Sequence, residues 1–219
     1  MHRDLERLQR LVLRMAGYVE EAVYQAIHAL KENDRRLAER VVEGDYRIDQ
    51  HENEVQEECL KILALHQPVA VDLRRICAVL FISTDLERMG DLAVQIAERA
   101  SHLASSSQSI VPSRLNTMTE KTTEMVRRSL DAFVHSDATA ARAVIRMDDQ
   151  VDADNSAIID ELIQRMKQSP DNIENGISMF SAVRHLERIA DHATNIAEDV
   201  IYLVEGEVVR HHPEALGDG

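Results

Sequence analysis

The segment Ala26 to Asp49, AIHALKENDRRLAERVVEGDYRID, is written a second time as Ser129 to Asp152, SLDAFVHSDATAARAVIRMDDQVD, without a gap and 103 residues further on. Leu30 falls on Phe133, Asp34 on Asp137, Ala38 on Ala141, Val41 on Val144 and Asp45 on Asp148. Downstream, Leu86-Glu87-Arg88-Met89-Gly90-Asp91 recurs as Leu186-Glu187-Arg188-Ile189-Ala190-Asp191, now 100 residues apart. Each block is followed by Ile-Ala-Glu, at Ile96 to Glu98 and at Ile196 to Glu198. The change of offset places a three-residue shortening between the blocks of the second copy. Self-similarity over this length means one supersecondary unit used twice.

Outward from these blocks, each copy reads as three helices. In the first, the pattern predicts a helix from Leu5 to Glu32, a second from Arg35 to Leu65 and a third from Val71 to Leu103. Asn33-Asp34 supplies a break and a cap, and Ser136-Asp137 supplies the same in the second copy, which begins at Arg114. Pro68 and Pro170 mark the turn before each third helix. Leu37, Val41, Ile48 and Val55 form one apolar stripe at helical spacing, as do Val144, Val151, Ile158 and Leu162. Three amphipathic helices with short connections close as an up-down-up bundle. The expected fold is all-α: two tandem, pseudo-symmetric three-helix bundles. Residues 1–104 make the first repeat, 105–113 a Ser-rich linker, 114–204 the second repeat and 205–219 a frayed tail.

Composition agrees. Only 3% of residues are aromatic and there are seven glycines and four prolines, too few for a turn-rich β fold. A net charge of −14 argues against a nucleic-acid surface, which needs clustered Lys and Arg, and against adsorption to an anionic membrane leaflet. No apolar run approaches the roughly 20 residues needed to span a bilayer. A cytoplasmic protein with no membrane insertion is expected. Cys59 and Cys77 have no C-x-x-C spacing and read as reduced core residues.

Acidic pairs recur at matching places. At about 100° per residue, Asp91 and Glu98 lie within about 40° of Glu87, while Met89, Leu92 and Ile96 fall about 140–200° away. Glu187, Asp191 and Glu198 repeat this arrangement, so the carboxylates are expected opposite the core. The second helix of each copy adds Asp45 with Asp49, and Asp148 with Asp152, at the edge of its apolar stripe. Like charges at i, i+4 repel by a few tenths of a kcal/mol on an isolated helix. Oxygen donors one turn apart on two adjacent helices suit a hard or borderline cation such as Mg, Mn or Fe; a solvated acidic face is the other reading. Arg88 and Arg188 are expected to pair with acids on their own helices. No Glu-x-x-His occurs, which tells against a di-iron oxidase site.

The string Asp85-Leu-Glu-Arg-Met-Gly-Asp91 and its partner Arg184-His-Leu-Glu-Arg-Ile-Ala-Asp-His-Ala-Thr-Asn-Ile-Ala-Glu198 resemble the signature of the PhoU family, and the likeness extends to the Ile201-Tyr-Leu-Val-Glu-Gly206 end. The resemblance implies metal binding through E(D)-x-x-x-D motifs, here at Asp45, Asp49, Glu87 and Asp91, and at Asp148, Asp152, Glu187 and Asp191. The ions would be divalent or trivalent: Fe, Mn, Mg or Zn. It also implies a non-enzymatic, cytoplasmic negative regulator of phosphate uptake, a homodimer linking the ATPase of a phosphate ABC transporter to a phosphate-sensing histidine kinase. The competing readings are a carboxylate-ligated metalloenzyme on a helical bundle and a cation-buffering or structural helical protein. The copies also differ: Asp72-Leu-Arg74 becomes Asn172-Ile-Glu174, and Gln95 becomes Asn195.

Overall fold

A computed structural model of the chain describes residues 1–106 and 111–209. Of the expected linker (105–113) and tail (205–219), residues 107–110 and 210–219 lie outside the described residues. The first copy comprises α1 (His2–Glu32), α2 (Arg35–Gly44), α3 (Tyr46–His66) and α4 (Ala70–Ala104). The second comprises α5 (Leu115–His135), α6 (Ala138–Ile145), α7 (Asp148–Gln168) and α8 (Ile173–Glu205), with a 3₁₀ turn at Pro170–Asn172 before α8. Among the described residues there is no strand.

The caps show how closely the copies correspond. Asn33 ends α1 in the left-handed region (φ 54°), and Ser136 ends α5 likewise (φ 52°). The next residue in each copy returns its amide to a carbonyl one turn back, Asp34 to Ala29 at 3.0 Å and Asp137 to Ala132 at 2.9 Å, closing a Schellman-type end. The same two aspartates then cap the following helix: Asp34 Oδ1 accepts from Leu37 N and Asp137 Oδ1 from Ala140 N, both at 3.0 Å. One residue thus ends one helix and starts the next, twice.

The continuous second helix expected from Arg35 to Leu65 is corrected by the structure, which interrupts it at Asp45, and interrupts its counterpart at Arg146–Met147. The joint is a tightened turn carried by i to i−3 bonds: Ile48 N to Asp45 O at 2.8 Å, Met147 N to Val144 O at 2.9 Å, and Gln150 N to Met147 O at 3.1 Å. The apolar stripe survives the joint, since Val41, Ile48 and Val55, and likewise Val144, Val151 and Ile158, are all buried. Burial of the stripe on both sides of the bend sets its direction.

In each bundle the long last helix is central. α1, α2 and α3 lie against α4; α5, α6 and α7 lie against α8; and α4 packs on α8. Asp85 meets His192 and Asn195 while His102 meets Glu174, so α4 and α8 run antiparallel. Leu86, Met89, Ile96, Ala97 and Ala100 on α4 are fully buried, as are Leu186, Ile189, Ile196, Ala197 and Val200 on α8. Cys59 is buried and free, its thiol pushed up to about 12 by desolvation first and then by Cys77 and Glu58, so it is held protonated. Among the described residues no helix is long and apolar enough to cross a membrane.

The matched caps give a test. Asp34→Ala and Asp137→Ala are each expected to cost about 1 kcal/mol, by equal amounts within error in urea titrations. A large difference between the two would contradict the equivalence of the repeats.

Candidate metal centres

The eight carboxylates selected from the sequence gather into two groups, one in each bundle. In the first, Asp45 sits at the α2–α3 joint and Asp49 one turn into α3, while Glu87 and Asp91 project from the middle of α4. Gly90 allows the close approach of these helices. A Cβ there would lie 2.9 Å from Ile48 Cδ1 and 3.7 Å from Asp45 Oδ1. In the second, Asp148 and Asp152 occupy the first turns of α7, and Glu187 and Asp191 project from α8.

The face expected to lie opposite the core is therefore not simply solvent. Glu87 is only 20% exposed and Glu187 only 14%. Asp45 and Asp148 are half-buried, whereas Asp49 and Asp152 stand at the exposed rim. Glu98 keeps the solvated position and sits beside Arg99.

Electrostatics tie each group together. Desolvation raises Asp45, and Asp49 and Asp91 add to the rise. Desolvation raises Glu87, followed by Asp91, with Arg88 opposing. In the second bundle Asp148 is pushed up to about 6, by burial first and then by Asp191 and Asp152. Glu187 rises for the same reasons, burial and then Asp191, against the pull of Arg184. Asp191 is raised by desolvation of its carboxyl and then by Asp152, although much of the residue faces solvent. The start of a helix favours an anion by about 0.3–1 kcal/mol, while a shift of about two pKa units corresponds to about 3 kcal/mol. For Asp148, at the start of α7, burial and crowding win.

Sequence reasoning passed over Glu52. It lies three residues after Asp49 and seven after Asp45, on the same side of α3, and its carboxylate accepts from Thr84 of α4 at 3.5 Å and from Gln56 at 2.8 Å. Burial raises its pKa, with Asp49 contributing, and it in turn acts on Glu87. The spacing was a legible signal. The repeat hid it, because the corresponding residue is Asn155. Two single side chains complete the picture. Arg88 lies 3.5 Å from Glu87 and 3.6 Å from Asp91, as expected. His192 gains a partner the sequence did not suggest, with Nδ1 2.7 Å from Asp85 Oδ1 across the α4–α8 contact.

The residues suit a cation in kind. All donors are carboxylate oxygens, which hard ions prefer. Glu187 Oε1 accepts from Arg184 at 2.9 Å, while its Oε2 is buried and without a hydrogen-bond partner. Such an atom carries a desolvation cost that a donor or an ion would offset. Among the described residues no three His, Cys, Asp or Glu side chains close on one point, so neither group stands as a finished cage.

Comparison with known proteins follows the same division of the chain. The sequence model of the PhoU domain matches twice, at residues 12–100 and 115–200. The chain belongs to the PhoU family. A phosphate-specific transport system accessory protein PhoU homolog of Pseudomonas putida is 42% identical over 211 residues, spanning 95% of this chain and 82% of that protein. Its homolog in Aquifex aeolicus is 41% identical, spanning 96% of both chains. The crystal structure of PhoU from Pseudomonas aeruginosa superposes with a TM-score of 0.92 at 40% identity, covering 94% of this chain and 99% of that one. The phosphate transport system regulatory protein PhoU from Streptococcus pneumoniae superposes at 0.88 and 32% identity, covering 94% and 97%. The PhoU fold is thus established along nearly the whole chain.

The crowding at Asp148 has a pH signature. A raised carboxyl pKa means that the folded chain keeps a proton that the unfolded chain releases. The stabilising contribution is full below the unfolded value, about pH 4, and is lost as pH rises through about 6. Metal-free Asp148→Asn protein is expected to exceed wild type in stability at pH 7 by about 1–2 kcal/mol, with the gap closing by about pH 4. Denaturant melts at the two pH values measure this, and a wild-type advantage at pH 7 would count against it.

Proposed function

We propose that this chain is the accessory regulator of a phosphate-specific transport system. It restrains phosphate uptake and phosphate-starvation signalling by docking, as a cytoplasmic homodimer, on the transporter's ATPase and on a sensor histidine kinase. The observation that carries this reading is the family membership across both repeats, with relatives named as accessory and regulatory proteins of phosphate transport. No catalytic step belongs to the role.

The same reading gives each acidic group a metal ion. Asp45, Asp49, Glu87 and Asp91 would hold it in the first bundle, and Asp148, Asp152, Glu187 and Asp191 in the second. A bound cation supplies the positive charge that offsets the repulsion within each group. The chain's own part is to hold the donors on rigid helices: two from the start of α3 or α7, and two from the middle of α4 or α8. Such an ion would tie the bent second helix to the central one. Metal would therefore stabilise the fold, by about 2.7 kcal/mol at a hundred times its dissociation constant.

Two experiments test this. A deletion strain is expected to express phosphate-starvation genes in high phosphate, and normal repression there would remove the regulatory role. Replacing Glu87 and Asp91 with Ala should halve the Mn²⁺ or Fe content after loading, and the same change at Glu187 and Asp191 should remove the other half. Elemental analysis reads the content, and unchanged values in both variants would return the carboxylates to a solvated acidic surface.

A further inference from the structure

The turn between α3 and α4 breaks the likeness of the two copies. It reads Leu65-His-Gln-Pro-Val-Ala-Val71, whereas the turn before α8 reads Gln168-Ser-Pro-Asp171. Pro68 is buried, but Leu65, Val69 and Val71 are 67%, 75% and 59% exposed. Ala70, the first residue of α4, is held at φ 50°, a left-handed conformation that glycine adopts at lower cost. The second copy makes the same passage through a 3₁₀ turn. Exposed aliphatic side chains on a strained turn, in one copy only, mark a contact surface.

The charge beside this tip also belongs to the first copy alone. Arg3, Arg7, Arg10 and Arg14 are exposed on α1 and lie within about 60° of one another, at about 100° per residue. The counterparts of Arg10 and Arg14 are Ser113 and Thr117. Asp4 meets His66 at 2.8 Å, so the stripe starts at the tip and runs away from it. It forms one wall of a groove of about 650 Å³, with Glu54, Glu57, Glu58 and Lys61 of α3 on the other. Arg7 lies 3.7 Å from Glu58, which Lys61 approaches to 3.4 Å, and Glu54 has His51 at 3.1 Å. Asp4 is also taken by the amino terminus, and Glu6 by His2. Among the described residues Arg3, Arg10 and Arg14 make no ion pair. The excess of cations over anions in the groove is small, but the charges are sorted, with guanidinium groups on α1 and carboxylates on α3.

That sorting selects the occupant. An anionic leaflet laid on the tip leaves Arg14 about 16 Å behind Arg3, beyond the ~8–10 Å over which salt screens charge. Laid along the groove, it meets Glu54 and Glu57. A helix can turn carboxylates towards α1 and other residues towards α3. We propose that the tip and groove dock an acidic amphipathic helix of a partner protein. Aliphatic residues at one end of that helix cover Leu65, Val69 and Val71, and its carboxylates, spaced about one turn apart, face the arginines of α1. The inference rests on the docking role proposed above and assigns that role to one end of the first copy.

The test is binding of the full chain to the transporter's ATPase subunit and to the cytoplasmic part of the kinase, by biolayer interferometry at low and high salt. Binding to one of them is expected, weakening as salt rises. Val69→Ser with Val71→Ser, and separately Arg10→Glu with Arg14→Glu, should each weaken it by about tenfold or more. The arginine pair should also flatten the salt dependence, while Ser169→Ala with Asp171→Ala in the second copy should change nothing. Arg10→Lys with Arg14→Lys should keep the binding and permit carbodiimide coupling to partner carboxylates, which mass spectrometry should place on one acidic helix. Circular dichroism reports that each variant keeps its helices. Wild-type binding that the tip and arginine variants leave unmoved would overturn the inference while sparing the regulatory role. Binding to neither protein would overturn both. Binding only to phosphatidylglycerol vesicles, lost in the same variants, would make the surface a lipid contact and overturn the helix.

Discussion

The antiparallel contact between α4 and α8 is the constraint on which the rest of the molecule depends. Both helices carry apolar residues on more than one side, because each must face its own bundle and also the other copy. Deep burial leaves little room for polar groups there, and one polar cluster crosses the contact: Asp85 accepts from Asn195 at 3.1 Å and faces His192 at 2.7 Å. Buried polar groups favour one register over its neighbours, since a shift would leave them unpaired. With the two central helices locked, α1 and α5 have one side to cover, and the bent helices α2–α3 and α6–α7 have another.

The acidic groups form where the bent helices meet the central ones, and their position follows from that architecture. The joints at Asp45 and at Arg146–Met147 restart a helix beside the middle of α4 or α8. A helix start tolerates anions, so Asp49 and Asp148, in the first turns of α3 and α7, sit where backbone amides partly offset their charge. Glu87, Asp91, Glu187 and Asp191 lie mid-helix and have no such help. Four carboxylates are thus brought together by packing that is otherwise apolar. The raised pKa values of Asp45, Glu87, Asp148, Glu187 and Asp191 show that the fold carries this as a cost. The structure places like charges side by side twice, with different compensation in each copy.

That difference shows what a duplication conceals. Comparing the copies selects residues that are the same in both, which is how Asp45 and Asp148, or Glu87 and Glu187, stand out. Glu52 and Arg184 fail that filter because each has a counterpart of another type, yet Glu52 acts electrostatically on Glu87 and Arg184 donates directly to Glu187. Their contribution is visible only when α3 is seen against α4, and Arg184 against Glu187.

The sequence alone determined the repeat, the helical class, the apolar stripes and the caps at Asp34 and Asp137. These rest on local periodicity and on hydrogen bonds that span only a few residues. It also determined which eight carboxylates to consider, through i, i+4 spacing on single helices. The tertiary structure decided the break of the second helix at Asp45 and Arg146–Met147: Gly44-Asp45 offers a stop and a start signal at the first joint that the apolar stripe running through it overrode in the sequence, and Arg146–Met147 carries no glycine or proline at all. It decided that Glu87 and Glu187 are largely shielded rather than solvated, because the face opposite the core of one helix is covered by the next. And it decided the pairing of His192 with Asp85, 107 residues apart, because contacts between helices from different copies depend on how the bundles dock and leave no periodic trace in the chain.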